Sequence, residues 1–153
     1  MEILEFDKNY NEHVNNLMHA ILVDEFGFKH FSEGIINSQN EEYITGNNRL
    51  WIAVDNDEII GTIGIIEVSE THALLKKIYV KESYRGQGIA QELLNLCLEY
   101  ARSMNYNYVF LETYERLKRA NSFYTKNDFT PYYEGYEKIQ GDEIRYRLDL
   151  KKD

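Results

Sequence analysis

The chain has 153 residues, of which 43% are apolar and 28% charged, and this balance predicts one globular domain over residues 1–153. Its net charge of −9 argues against nucleic-acid and anionic-membrane binding, which need a basic surface, and favours a cationic ligand. A single cysteine, Cys97, excludes an internal disulfide and a cysteine-based zinc cluster, and the histidines near the amino terminus resemble no zinc pattern, so no metal is expected.

We expect neither a targeting segment nor a membrane-spanning segment. Residues 1–7 hold no basic stretch followed by a long apolar run, as a signal peptide would. No apolar run is long enough to cross a bilayer. The expected location is therefore the cytoplasm. The oligomeric state stays open, and a homodimer is one of the alternatives.

The amino-terminal part predicts a strand, a helix and an irregular aromatic segment. Polar and apolar residues alternate over residues 2–6, which favours a strand. Apolar residues then recur at helical spacing from Val14 to Leu22, which predicts an amphipathic helix that ends near Gly27. The aromatic segment that follows forms either the edge of the core or a wall of an acceptor site. Its members are Phe26, Phe28, Phe31, Ile35, Ile36 and Tyr43.

The rest of the chain alternates β-rich runs with two helical patterns. Residues 50–54 and 59–68 flank an Asn/Asp turn and read as a hairpin. Further predicted elements are a strand over 73–81, a helix over 90–104, a strand over 106–113, a helix over 117–127 and a final hairpin over 130–137 and 143–150. One β-α-β crossover thus lies within an otherwise antiparallel pattern. The predicted fold class is a mixed α/β sheet, mostly antiparallel, with flanking helices.

The most informative stretch runs from Leu74 to Leu94 as strand, glycine turn and helix. The first N–H groups of a helix lack intrahelical partners, and the helix dipole adds partial positive charge, so such a turn binds anions. We interpret it as a site for the diphosphate of a large cofactor. A dinucleotide fold is disfavoured because Gln91 stands where its third glycine belongs, and no Gly-Lys-Ser/Thr follows for a P-loop.

Two motifs resemble the GCN5-related N-acetyltransferase (GNAT) family. Arg85-Gly86-Gln87-Gly88-Ile89-Ala90 fits its Arg/Gln-x-x-Gly-x-Gly/Ala signature, and residues 120–129 look like its Ala-x-x-x-Tyr-x-x-x-Gly-Phe helix. The resemblance covers about Trp51 to Phe129. It implies the GNAT fold and acetyl-CoA as co-substrate. The backbone of Ile78, Tyr79 and Val80 would then pair with the pantetheine arm, and residues 85–90 would wrap the diphosphate.

The resemblance also implies roles in acetyl transfer to an amine. Tyr124 stands where the family has its general acid, so it would protonate the leaving thiolate. Glu112 would be the base, directly or through water, at a spacing similar to that of family members that acetylate protein amino termini. Glu67 and Glu70 are the alternative bases. Asn121 would either hydrogen-bond the cofactor arm or lie on the helix surface.

Two positions depart from the family pattern. Asp128 replaces the usual Gly before Phe129 and weakens the turn there. Leu117 stands where amino-terminal acetyltransferases usually have Asn, which argues against a protein amino terminus as acceptor. The predicted function is therefore an acetyl-CoA-dependent N-acetyltransferase for a small or peptidic amine, cationic in view of the acidic charge. The alternative is a non-catalytic acyl-CoA-binding regulatory module. Cys97, on the apolar stripe of its helix, is predicted to be a packing residue.

Overall fold

The computed structural model describes residues 1–27, 39–132 and 143–151. These residues form a mixed sheet with helices on both faces. The strands are β1 (Glu2–Glu5), β2 (Arg49–Asp55), β3 (Glu58–Glu67), β4 (His72–Val80), β5 (Tyr108–Tyr114), β6 (Thr130–Pro131) and β7 (Glu143–Asp149). The α-helices are α1 (Asn11–Met18), α2 (Ile89–Ser103) and α3 (Lys118–Lys126), and a π-helical segment (His19–Glu25) continues α1. Short 3-10 turns cover Lys8–Tyr10, Glu41–Ile44 and Glu82–Tyr84.

The strand order in the sheet is β1-β2-β3-β4-β5-β7-β6. Among the strands described, β4 and β5 form the one parallel pair, which α2 connects, and the other neighbours are antiparallel. A parallel pair needs such a crossover, whereas antiparallel neighbours can be joined by short turns. The predicted mixed sheet with a single crossover is therefore confirmed.

The β2–β3 turn shows why local sequence predicts this hairpin. Asn56 and Asp57 have φ angles of 50° and 63°. A two-residue hairpin turn of this kind needs positive φ at both central positions, and short polar side chains tolerate this conformation better than most others do. The Asn/Asp pair therefore fixes the first two pairs, Asp55 opposite Glu58 and Val54 opposite Ile59, before a bulge shifts the register at Ala53.

The core has two parts, one on each face of the sheet. On one face, α2 and α3 bury their apolar stripes against β3, β4 and β5, with Leu93, Leu94, Cys97, Tyr124 and Phe129 among the buried residues. On the other face, α1 and the π-helical segment pack over β2 and β3, with Val14, Met18 and Ile21 fully buried. Cys97 has no exposed surface and burial raises the pKa of its thiol, which confirms it as a packing residue.

Three features were not foreseen or lie outside the described residues. The predicted amino-terminal helix continues after Met18 as a wider, π-helical segment. At the end of this segment the N–H of Phe26 bonds the carbonyl of Ile21, five residues back. Predictions for Phe28, Phe31, Ile35 and Ile36 fall in residues 28–38, outside the described ranges. The same holds for residues 133–142 of the final hairpin, whose described part pairs Thr130 and Pro131 with β7.

None of the helices described has both the length and the apolar character needed to cross a membrane.

Candidate active site

The ladder between β4 and β5 stops halfway along the two strands. Residues 72–75 of β4 pair with residues 108–111 of β5, from His72 opposite Tyr108 to Leu75 opposite Leu111. Beyond that point, among the strands that the structure describes, β4 pairs only with β3 and β5 pairs only with β7. A gap therefore opens inside the sheet between residues 76–80 and residues 112–114, and we call it the β4–β5 split.

A β-bulge lies in β4 where the split begins. The register with β3 passes from Thr62 opposite Tyr79 to Gly64 opposite Lys76, so two residues of β4 oppose one of β3. Lys77 takes a left-handed φ of 53° at this bulge. The hydroxyl of the fully buried Thr62 donates to the carbonyl of Lys77 at 2.6 Å and so satisfies a carbonyl that the bulge displaces from the ladder.

Two backbone N–H groups of β4 face the split. The N–H of Lys81 bonds the carbonyl of Ile60 at 2.8 Å, which directs it towards β3. Because successive residues of a strand direct their backbone groups to opposite sides, the N–H of Val80 and that of Ile78 point away from β3 and into the gap. Ile78 and Val80, two of the three residues predicted to meet the cofactor arm, thus offer their N–H groups to the split. The N–H of the third residue, Tyr79, is directed towards β3.

The glycine turn stands at the end of β4, in front of α2. Gly86 and Gly88 have φ angles of +79° and +83°, which L-residues rarely adopt, and Gly88 is the N-cap of α2. A Cβ built on either glycine would meet no atom within 4 Å, so the space before the helix is open. Ile89 turns its side chain into the core, which leaves its backbone N–H at the start of the helix. This geometry fits the predicted diphosphate site over residues 85–90.

The guanidinium of Arg85 is bound within the protein. It holds both carboxylate oxygens of Glu25, with Nη2 to Oε1 at 2.7 Å, and its Nε donates to the carbonyl of Val80 at 3.0 Å. Both side chains of this ion pair are mostly buried. Arg85 therefore ties the glycine turn to the end of the π-helical segment. A direct contact between its side chain and a phosphate stays a prediction, as do the cofactor contacts of Gln87 and Ala90.

Asn121 sits over the end of β5 with one polar atom unused. Its Nδ2 donates to the carbonyls of Tyr114 and Glu115 at 3.0 and 3.1 Å, which fixes the amide. Its Oδ1 is buried and has no hydrogen-bond partner among the residues described. A buried acceptor without a donor is costly, so this oxygen fits an N–H group supplied by a ligand in the split.

Tyr124 is buried on the α3 side of the split. Its ring packs against those of Phe129 and Tyr146, at centroid distances of 6.0 and 5.8 Å. Burial, and then the neighbouring Tyr79 and Tyr146, raise the pKa of its phenol well above the ordinary value. Burial also raises the pKa of Tyr79 to about 12. Tyr124 therefore keeps its proton at neutral pH, as a proton donor must.

Glu112 lies just beyond Leu111, the last residue of β5 that pairs with β4. It shares a sheet face with Phe110, opposite to the face where Leu111 packs with Tyr124. Its carboxylate accepts from Nη2 of Arg145 at 3.0 Å, and 48% of its side chain is exposed. The structure thus places Glu112 and Tyr124 on opposite faces at the mouth of the split.

The alternative bases lie at the other end of the sheet. Glu67 pairs with Ala73 in the closed part of the sheet, and its Oε1 accepts from the hydroxyl of Tyr106 at 2.7 Å and from Asn47. Glu70 is an exposed residue of the turn before β4. Neither carboxylate borders the split.

Sequence reasoning missed a polar cluster beside the bulge. Lys77 reaches Asn40, which in turn bonds Asn11 and Asn15 of α1, and the ammonium of Lys77 lies over the ring of Tyr43. A lysine inside an apolar strand was the one local signal. The contacts join residues far apart in the chain, which no local pattern reports.

The amino-acid sequence of the chain matches that of a known protein family. Residues 15–129 match the sequence model of the acetyltransferase (GNAT) family, which is most of the chain. The chain belongs to the GNAT family. The match begins before Trp51, where the motif resemblance began, and therefore takes in the second half of α1 and the π-helical segment as well as the glycine turn.

Curated GNAT relatives match over part of their length. The rat protein N-acetyltransferase 8B is 35% identical over 68 residues, which cover 41% of this chain and 31% of the relative. The uncharacterized N-acetyltransferase YjgM of Escherichia coli (strain K12) is 29% identical over 85 residues, which cover 54% of this chain and 51% of the relative. The matched segments thus span about a third to a half of these relatives.

Solved structures confirm the GNAT fold. An acetyltransferase of the GNAT family from Staphylococcus aureus Mu50 is 26% identical with a TM-score of 0.86, over 98% of this chain and 99% of that chain. An aminoglycoside 6'-N-acetyltransferase complexed with coenzyme A shares the fold with a TM-score of 0.72 at 20% identity, over 100% and 99% of the two chains. The predicted family and fold class are therefore confirmed, and acetyl-CoA is the co-substrate characteristic of the family.

Proposed function

We propose that this protein transfers the acetyl group of acetyl-CoA to a primary amine of a small or peptidic acceptor. The observation that carries the proposal is the β4–β5 split, because it combines unpaired backbone donors with an open helix N-terminus at its end. Family membership supports the same reading. The net charge of −9 favours an acceptor that arrives as a cation, which a free amine of pKa about 10.4 does at neutral pH.

The cofactor would use both parts of the split. Ile78 and Val80 would donate their N–H groups to the carbonyls of the arm, and Oδ1 of Asn121 would accept from one of its amides. The N–H groups of residues 85–90 would face the diphosphate, since the open space before Gly86 and Gly88 leaves room for it. When bound, acetyl-CoA supplies the activated acetyl thioester.

Three groups of the chain would then serve the transfer. The N–H of Ile78, at the bulge, would donate to the thioester oxygen as negative charge develops there. Glu112 would accept the proton that the acceptor amine gives up, directly or through one water molecule. The neutral nitrogen would then bond to the carbonyl carbon, and Tyr124, which burial keeps protonated, would give its own proton to the sulfur as the carbon–sulfur bond breaks. The second proton that the nitrogen loses as the amide forms would restore the proton of Tyr124.

The decisive experiment is an amine panel with acetyl-CoA, in which release of free CoA is measured for wild type and for Tyr124→Phe. We expect Tyr124→Phe to lower kcat by about 100-fold with little change in acetyl-CoA affinity, as loss of a general acid does. Tyr146→Phe is the matched control, because its ring lies in the same buried cluster. Equal rates in both variants would remove Tyr124 from the mechanism.

Glu112→Gln tests the base in the same assay. Asp149→Asn is its control, because Asp149, in β7, is also a sheet carboxylate paired with an arginine. Its Oδ1 lies 2.7 Å from Nε of Arg147. We expect Glu112→Gln to lower kcat at neutral pH, where the acceptor amine is protonated and needs a base, and Asp149→Asn to leave it unchanged. A protein that binds acetyl-CoA but acetylates no amine would instead be the regulatory module considered as the alternative.

A further inference from the structure

The polar cluster beside the bulge contains donors that the protein does not satisfy. An ammonium carries three N–H donors. Among the residues described, Oδ1 of Asn40 is the acceptor of one of them. Glu42, a carboxylate that acts on Lys77 electrostatically, lies 3.6 Å from the ammonium of Lys76. Within the described part of the chain, no carboxylate forms an ion pair with Lys77, so two of its donors are left for a ligand.

Asn40 is held in place and is not free to turn towards another partner. Its Nδ2 donates to Oδ1 of Asn11 at 2.7 Å and to Oδ1 of Asn15 at 3.1 Å. Only 2% of its surface is exposed. Because both ends of this amide are hydrogen-bonded, Asn40 cannot rotate with the lysine side chain. It therefore holds the ammonium of Lys77 in one position.

Tyr43 adds a second donor beside the first. Its ring centroid lies 5.5 Å from the ammonium of Lys77, and its side chain is 2% exposed. Its hydroxyl is buried without a hydrogen-bond partner among the residues described. A buried hydroxyl without an acceptor and a nearby ammonium with unused donors are together suited to one ligand type, an anion.

The cluster lies on the α1 face of the sheet, beside the split. Lys77 directly precedes Ile78, and its side chain leaves β4 on the face covered by α1, whereas α2 and α3 fill the opposite face. Tyr79, on the same face, is close enough to interact electrostatically with Tyr43 and with Tyr124. A molecule reaching the bulge from the α1 face would therefore meet Lys77 within one residue of the proposed oxyanion donor.

We propose that the ammonium of Lys77 and the hydroxyl of Tyr43 bind an anionic group, a carboxylate or a phosphate, of the amine acceptor. Lys77 is then a specificity-determining residue, and the acceptor carries an ammonium to be acetylated and an anion some distance from it. The inference rests on the proposed function for the amine. It narrows the proposed class of acceptors from cationic amines to amines that also carry an anionic group.

The electrostatics of the cluster agree with this assignment. Burial lowers the pKa of Lys77 to about 8, while Glu42 raises it and Lys76 lowers it further. The titratable groups packed around the ammonium are thus Glu42, Lys76 and Tyr43, and burial keeps Tyr43 protonated. At neutral pH the ammonium is still mostly charged but poorly solvated, so a bound anion would replace the hydration that it has lost.

The first test needs only wild-type protein. Pairs of amines that differ by one anionic group are titrated by calorimetry into the protein saturated with CoA. The pairs are lysine and 1,5-diaminopentane, phenylalanine and phenethylamine, and phosphoethanolamine and ethanolamine. We expect at least one anion-bearing member to bind 10-fold or more tightly than its partner, and the third pair separates phosphate from carboxylate. Equal binding within all three pairs would overturn the proposal.

The second test assigns the preference to Lys77. Lys77→Met should erase the difference within the preferred pair and should raise KM for its anionic member by about 10-fold or more, with acetyl-CoA affinity unchanged. Lys77→Arg should keep most of the preference, since the charge remains. Lys76→Met is the matched control, because this neighbouring lysine is exposed and pairs with Glu42, and it should behave as wild type. A preference that survives in Lys77→Met would contradict the assignment.

The two levels of the proposal fail differently. Selective binding of an anionic member without CoA release under acetyl-CoA would uphold the anion site and refute the acetyl transfer. Acetylation of amines without any preference within the pairs would uphold the transfer and refute the anion site. Because the wild-type pairs are decisive alone, a poorly folded Lys77→Met does not weaken the test.

Discussion

The two halves of the β4–β5 pair do different work with the same two strands. In the closed half, residues 72–75 and 108–111 pair with each other and their buried side chains join the main core. In the open half, residues 76–80 keep one partner, carry a bulge and border donors and an acceptor without protein partners. Unsatisfied backbone groups cost stability, so their concentration in one half marks where a ligand is expected to complete the sheet.

The largest expected effect is on stability, in the closed half. Leu111→Ala removes a fully buried side chain from the last ladder pair and should lower the free energy of unfolding by about 3 kcal/mol, within the 2–5 kcal/mol usual for such truncations. Urea denaturation measures it. The folded variant should still bind acetyl-CoA within about threefold of wild type. A folded variant without acetyl-CoA binding would break the division between the halves.

The next effect is on binding, at the end of the open half. Gly88→Val should weaken acetyl-CoA binding by about 100-fold, because a side chain at φ +83° strains the turn and fills the open space before α2. Gly46→Val is the matched control: Gly46 also has positive φ, +57°, and open surroundings, but it lies in another turn. Calorimetry should find binding intact in Gly46→Val, and unchanged affinity in Gly88→Val would refute the diphosphate site.

A smaller effect concerns pH and the lysine of the open half. The pKa of Lys77 is about 8 in the folded protein and about 10.4 when unfolded, so between these values the unfolded chain binds more protons. Wild type should therefore gain about 2 kcal/mol relative to Lys77→Met as pH rises from about 8 to about 10. Denaturation at several pH values measures the difference, and Lys76→Met should show a smaller one, because Lys76 acts here only by lowering the pKa of Lys77. A pH-independent difference would show that burial does not perturb Lys77.

The smallest effect separates strain from function beside the split. Asp128 has a φ of 71° after α3, the helix that carries Asn121 and Tyr124. Asp128→Gly should raise the free energy of unfolding by about 0.5–1 kcal/mol and leave acetyl-CoA binding unchanged. Asn105→Gly, at φ 62° after α2, is the comparable change away from the split. A gain in stability accompanied by weaker binding would give Asp128 a role in the site.

The parts of the site that sequence predicted are those with a local conformational cause. The sequence predicted the turn at Gly86 and Gly88 because positive φ favours glycine. It predicted the hairpin turn at Asn56 and Asp57 because that turn favours short polar residues. The turn after α3 kept its shape despite Asp128, since the N–H of Phe129 still bonds the carbonyl of Tyr124. In each case a few neighbouring residues contain the whole cause.

The parts that sequence did not predict depend on contacts between distant residues. Lysine has no preference for the left-handed conformation that Lys77 adopts, so nothing local reports the bulge. Glu25 and Arg85 are 60 residues apart, and Lys77 and Asn40 are 37 apart. The length of the β4–β5 ladder is likewise a tertiary property, because it depends on how two strands 28 or more residues apart in the sequence approach each other.

The bulge at Lys77 also limits edge-to-edge strand pairing between copies of this protein. A strand edge with free N–H groups attracts other extended chains, and here such an edge lies inside the sheet at Ile78 and Val80. The bulge turns that edge out of line with a straight strand, and any chain that entered would have to desolvate the ammonium beside it. The gap therefore admits a slender ligand more readily than a second polypeptide.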